Sequence, residues 1–129
     1  MEDTSLTVNS PSRCVSWNPL NQKLLATGLF NGNIVIFDMA TAEVKHILRA
    51  CSAEEEFRVM HIQWHPFFDN MLAAAGSDND VHIFDLKNLE GRRLSFHKNR
   101  VRSIHWNSEI PWMLVSGGDD SLQVIWDVR

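Results

Sequence analysis

The chain is short of cysteine, of long apolar runs and of net positive charge, and each shortage removes a class of protein. Two cysteines in 129 residues, Cys14 and Cys51 in unrelated contexts, cannot frame a disulfide scaffold and read as reduced, partly buried thiols. No apolar run approaches the roughly 20 residues that a membrane-spanning helix needs, so no membrane partner is expected. The first residues, Met-Glu-Asp-Thr-Ser, are acidic where a secretory signal needs a basic region, and the expected compartment is the cytoplasm or the nucleus. A formal net charge of -4 argues against a surface that coats phosphates along its whole length. No Gly-rich segment has the strand-to-helix setting of a phosphate loop, and Gly117-Gly118 is followed by two aspartates that would repel phosphate. His61 and His65 are spaced as a helical metal pair would be, but on a strand they stand roughly 13 Å apart, at ~3.3 Å per residue. With no Cys pair or carboxylate set to complete a site, neither metal nor cofactor is expected.

What the sequence does contain is a repeat. Trp17, Trp64 and Trp106 are separated by 47 and 42 residues, and Asp38, Asp85 and Asp127 by the same 47 and 42, so each Trp stands 21 residues before its Asp. Length varies only between units, where loops absorb it. In the first unit, strands are expected over Arg13 to Trp17, Lys23 to Gly28 and, after the Asn31-Gly32 hairpin signal, Asn33 to Asp38. Ala42 to Ala50 reads as a fourth strand or a short helical segment, and Ser5 to Val8 as a short leading strand. The second unit repeats the order and ends on Arg92 to Phe96, whereas the third stops at Asp127 with no fourth strand.

The third strands, Ile34-Val35-Ile36-Phe37 and Val124-Ile125-Trp126, are apolar on both faces, which suits a sheet stacked between two others. Four-stranded antiparallel sheets stacked at a period of about 40 to 45 residues describe propeller blades. The expected fold is therefore all-β: a partial, three-blade β-propeller of four-stranded antiparallel blades, at about residues 5–50, 57–97 and 98–129, the last incomplete. Closed propellers have about four to eight blades. Three should leave two open faces available for self-association, as in a piece of a longer protein, and should leave Leu122 to Asp127 as an open edge.

These residues resemble the WD-repeat β-propeller family. The third unit matches best, ending in Trp126-Asp127, with His97 four residues before Val101 where the family places the His that opens a repeat. The resemblance implies a buried structural tetrad of His97, Ser116, Asp120 and Trp126. The first unit has Thr27, Asn31 and Phe37 at the last three of these positions and no matching His; the second has Ala74, Asp78 and Phe84, with Glu55 in place of the His. Those two blades are expected to rely more on packing. The family further implies a non-catalytic scaffold that binds other proteins through blade loops and rims. The terminal Trp126-Asp127-Val128-Arg129 also resembles the Trp-Asp-x-Arg pattern of substrate-receptor subunits of cullin-type ubiquitin ligases.

His97, Ser116 and Asp120 are the residue types of a hydrolase triad, but a nucleophilic Ser must be exposed to substrate, and this one lies in a strand expected to be buried. No catalytic residue is assigned. Phe30 at a hairpin entry, and Phe67, Phe68 and Trp112 in turns, stand where blades meet solvent and are candidate anchors for a partner. Arg100 and Arg102 join them, within the basic stretch Arg92 to Arg102. That stretch supports an alternative reading, a rim for RNA or an acidic ligand, against the plainer one that cations guard strand edges.

Overall fold

The computed structural model describes residues 7–8, 10–49 and 58–129. Cys51, Glu55, the acidic loop Ser52 to Glu56, and Ser5 and Leu6 of the leading segment lie outside the described residues; Thr7 and Val8 are not strand.

Among the described residues, eleven strands form three antiparallel sheets. The first holds β1 (Ser12–Trp17), β2 (Leu24–Leu29), β3 (Asn33–Asp38) and β4 (Glu43–Arg49) in that order. Within the segment Ala42 to Ala50, Glu43–Arg49 is therefore strand and not helix, Ala42 belongs to the preceding turn, and Ala50 lies outside the described residues. The second sheet holds β5 (Val59–Trp64), β6 (Met71–Gly76), β7 (Asp80–Asp85) and β8 (Glu90–Ser95); the third holds β9 (Val101–Trp106), β10 (Met113–Gly118) and β11 (Gln123–Asp127). This is an open, partial β-propeller, and the described residues contain no helix, hence none long and apolar enough to cross a membrane.

The three units superpose in register. Each Trp that ends an inner strand faces a Leu, as Trp17↔Leu25, Trp64↔Leu72 and Trp106↔Leu114, and each Leu faces an aromatic, Phe37, Phe84 or Trp126. The pairing slips by one residue at the same place in every unit, at Arg13, Met60 and Arg102. A bulge there strengthens the twist of the inner strand as it enters the sheet.

The sheets stack through apolar faces. Ala26, Ile34, Ile36 and Leu48 of the first meet Val59, Ile62, Trp64 and Leu72 of the second. Ala73, Ala75, Val81 and Ile83 of the second meet Ile104, Trp106 and Leu114 of the third. Small residues permit the approach: a Cβ on Gly28 would fall 2.5 Å from a Val59 methyl and 2.6 Å from the Cys14 sulfur. The Cys14 thiol is correspondingly pushed up to about 11, chiefly by burial.

The third sheet shows one of the two expected open faces. Ile125 is 71% exposed, although its counterparts Ile36 and Ile83 are buried at 0% and 5%. The strand has apolar residues on both faces, but only one face, that of Val124 and Trp126, has a sheet to pack on.

Candidate functional site

Hydrogen bonds between sheets fix how the blade ends line up. The Trp64 indole N-H donates to the Ser16 carbonyl at 2.9 Å, and the Trp106 indole does the same to Gln63 one unit on, at 3.3 Å. The residue after each Trp works both ways. Asn18 Oδ1 accepts the amides of Leu20 and Asn21 while its Nδ2 donates to the Asp69 carbonyl of the next sheet at 2.7 Å. His65 repeats this with an imidazole: Nδ1 accepts the amides of Phe67 and Phe68, and Nε2 donates to the Pro111 carbonyl at 2.6 Å. Asn107 caps its own turn through Glu109 and Ile110, but its Nδ2 reaches only the Met113 sulfur, at 3.8 Å. Sequence reading missed this set. The Asn, His, Asn that follow the three Trp residues were its available signal.

The inner strands run in the same direction, so all β1–β2-type turns gather at one end of the blades and all β2–β3-type hairpins at the other. The structure accordingly divides the six candidate partner-binding residues into two groups. Phe67, Phe68 and Trp112, with Leu20, are 40 to 49% exposed at the first end. They are not loose: the His65 ring lies 4.7 Å from Phe68 and 4.5 Å from the buried Trp106, and the Arg129 guanidinium sits 4.9 Å over Trp112. Phe30, Arg100 and Arg102 belong to the opposite end. Phe30 is half-buried beneath Arg58, 5.1 Å over its ring.

The basic stretch is largely engaged within the chain. Arg102 bonds Asp119 at 3.0 and 3.1 Å, Arg92 donates to the Val128 carbonyl at 3.0 Å, and Arg93 pairs with Asp80 and lies 3.4 Å from Asp78. Arg129, last in the Trp-Asp-x-Arg pattern, is similarly taken up by Asp127 at 2.5 Å and by the Trp112 ring.

His97, Ser116, Asp120 and Trp126 meet in the third sheet. The Trp126 indole N-H donates to Ser116 Oγ at 2.8 Å; that oxygen lies 2.7 Å from His97 Nε2, and His97 Nδ1 lies 3.0 Å from Asp120 Oδ2. Each polar group of this hydrogen-bonded chain thus has a partner: Ser116 Oγ lies between the indole N-H and His97 Nε2, and Asp120 faces His97 Nδ1. Ser116 is 1% exposed, and its hydroxyl is held between the Trp126 indole and the His97 ring. Burial pushes the Asp120 carboxyl up, but the Lys98 and Leu122 amides and His97 outweigh it and hold the group below its ordinary value.

The second sheet has Ala74 and Phe84 where the third has Ser116 and Trp126, and carries a different polar cluster. Asp78, at the position of Asp120, accepts from His82 Nε2 at 2.6 Å, a His drawn from β7 instead of the preceding loop. His82 and Asp80 are buried, and Arg93 closes the cluster. Among the described residues no group of three or more His, Cys, Asp or Glu is placed to hold a metal.

The two inter-sheet histidines make the fold pH-sensitive. Burial lowers His65, against the opposing Pro111 carbonyl, and burial followed by the charge of His105 lowers His61, whose Nδ1 accepts the Ile104 amide at 2.9 Å. Because the folded state holds both below the ordinary 6.5, the unfolded chain binds more protons as pH falls through that value, and stability drops with it. His65→Asn, which installs the residue used at the Asn18 position, is expected to keep the fold and flatten part of the fall in melting temperature between about pH 7 and 5. Melting curves across that range check it. A second loss, from Asp120, belongs below its ordinary 3.8, since its folded value is depressed.

Comparison with known proteins places this geometry. Residues 90–127 match the family model "WD domain, G-beta repeat". The chain is similar to protein transport protein SEC31 of Chaetomium globosum, 28% identical over 119 residues that make up 88% of this chain and 9% of that protein. It is 34% identical over 105 residues to the WD repeat-containing protein srw1 of Schizosaccharomyces pombe, covering 80% of this chain and 17% of that one. It is 21% identical over 117 residues to histone acetyltransferase type B subunit 2 of Candida glabrata, covering 89% and 27%. The chain thus spans about a tenth of the SEC31 relatives it matches.

Proposed function

From the premise that this chain belongs to the WD-repeat β-propeller family, we propose that it is a non-catalytic scaffold whose aromatic blade end binds other proteins. The supporting observation is that Leu20, Phe67, Phe68 and Trp112 are exposed at one end while their backbone is pinned across sheets by Asn18 and His65. Aromatic anchors on a rigid frame lose little conformational entropy when a partner covers them, which is where interface energy concentrates. The compartment that suits a free thiol at Cys14 is the cytoplasm or the nucleus. The tetrad of His97, Ser116, Asp120 and Trp126 serves here as a structural clamp of the third blade.

RNA or an acidic ligand at the Arg92 to Arg102 stretch fits less well, because Arg92, Arg93 and Arg102 already hold partners inside the chain. A receptor role in a cullin-type ligase meets the same objection at Arg129. The test is a comparison of proteins retained from a cytosolic extract by the native chain, by Phe67→Ser/Phe68→Ser/Trp112→Ser and by Arg100→Glu/Arg102→Glu. Loss of the main retained proteins with the aromatic variant, and their persistence with the charge variant, is the expected pattern. Binding to single-stranded RNA that weakens steeply with salt would replace this reading with the nucleic-acid one.

A further inference from the structure

Each interface between sheets is built from the same two faces. On the side toward the next sheet stand Ala26 and Ile36 in the first unit, Ala73 and Ile83 in the second, and Val115 and Ile125 in the third. On the opposite side, toward the preceding sheet, stand Val15 and Trp17, then Ile62 and Trp64, then Ile104 and Trp106. The chain assembles this pairing twice, and one half of it is left over at each end. Val115 and Ile125 are 37% and 71% exposed where their counterparts are 0 to 5%. Val15 and Trp17 are 66% and 56% exposed where theirs are 1 to 3%. Val8 and Met39 lie against the outer part of that first face, at Val35 and Phe37, and leave its inner strand open.

The polar groups are left over in the same register. The Ser16 and Gln63 carbonyls each receive an indole N-H from the following sheet, which makes the His105 carbonyl the next acceptor. Of the three Trp residues at this register, Trp17 is the one whose indole donates to no acceptor among the described residues. Asn107 holds the place of Asn18 and His65, whose second nitrogens cross to the next turn, yet its own Nδ2 finds only a thioether. A cleft lined by His105, Asn107, Met113, Val115 and Ile125 opens beside it, about 310 Å³ in volume.

We infer that the outer face of the third sheet docks the first sheet of a second copy of this chain, head to tail, with Trp17 of that copy donating to the His105 carbonyl. The contact is heterologous, and such contacts close only when the rotation permits. Two copies place six sheets about one axis, within the range of about four to eight that propellers close with. The inference goes beyond the scaffold reading, since it uses sheet faces and not blade ends; the Phe67/Phe68/Trp112 variant should leave it intact.

Sedimentation velocity on the 129-residue chain, from about 1 to 100 µM, reads the association. The native chain is expected to dimerise within that range. Val15→Asp and Ile125→Asp each destroy one face and should each be monomeric alone. Mixed in equal amounts they still offer one intact pair of faces, and a dimer should return, as neither a first-to-first nor a third-to-third contact requires. Trp17→Phe keeps the ring and removes the N-H, and should weaken association about tenfold. Far-ultraviolet circular dichroism confirms that each variant is folded. A native chain that stays monomeric at about 100 µM, or a mixture that does not recover the dimer, overturns the inference and leaves the face to a blade of other origin.

Discussion

Replacing Trp106 by Ala should remove about 3 to 5 kcal/mol of unfolding free energy in urea denaturation, the usual cost of deleting a buried aromatic. Trp106 is 1% exposed and packs with Ala73, Val101, Ile104 and Leu114 at the second interface. Its indole also donates to Gln63, and its ring lies 4.5 Å from His65. Deletion therefore opens a cavity and at the same time leaves the half-buried Gln63 carbonyl without its indole donor. Trp17→Ala provides the contrast: the same residue at the same register is 56% exposed and should cost about 1 kcal/mol or less at low protein concentration. Equal losses at the two positions would mean that the second and third sheets do not stack as described.

Ser116→Ala should be costly for another reason. The hydroxyl is the joint between the Trp126 N-H and His97 Nε2, at 2.8 and 2.7 Å, and its removal leaves both without partners. A buried polar group stripped of its bond costs about 1 to 3 kcal/mol, so a total loss of about 2 to 4 kcal/mol is expected. The same variant tests the chemistry. Hydrolysis of an activated ester such as p-nitrophenyl acetate should be equally slow with both chains; if the native chain turns it over and the variant does not, Ser116 is a nucleophile and the clamp role is wrong. His97→Ala combined with Ser116→Ala should cost less than the two singly, because both act on one hydrogen-bonded chain.

The constant interval of 21 residues between Trp and Asp carried most of the fold, because it demands the same strand pairs in every unit. Trp17↔Leu25, Trp64↔Leu72 and Trp106↔Leu114 are the physical form of that interval. Composition could not reveal the slips at Arg13, Met60 and Arg102, since a bulge depends on twist and not on a residue type. Nor did the strand pattern distinguish Ile125 from Ile36, as burial of the far face depends on a neighbouring sheet. The Asp that ends each third strand was a marker in the sequence and proves to be a turn cap: Asp38, Asp85 and Asp127 accept the amides of Ala40, Lys87 and Arg129 at 2.9, 2.9 and 3.1 Å. The cluster of Asp78, Asp80, His82 and Arg93 was missed for a different reason. A His inside an apolar strand looks like a mismatch until the carboxylate four residues earlier is seen to face it.

In both complete sheets the strands lie in the order in which they are written along the chain. Every pairing within a blade therefore joins neighbours in sequence, and only the seams between blades span forty or more residues. A polypeptide of this kind can shape one blade while the next is still inside the ribosome, because no strand waits for a distant mate. During synthesis each finished blade lays down the apolar template on which its successor condenses, so birth order and spatial order coincide.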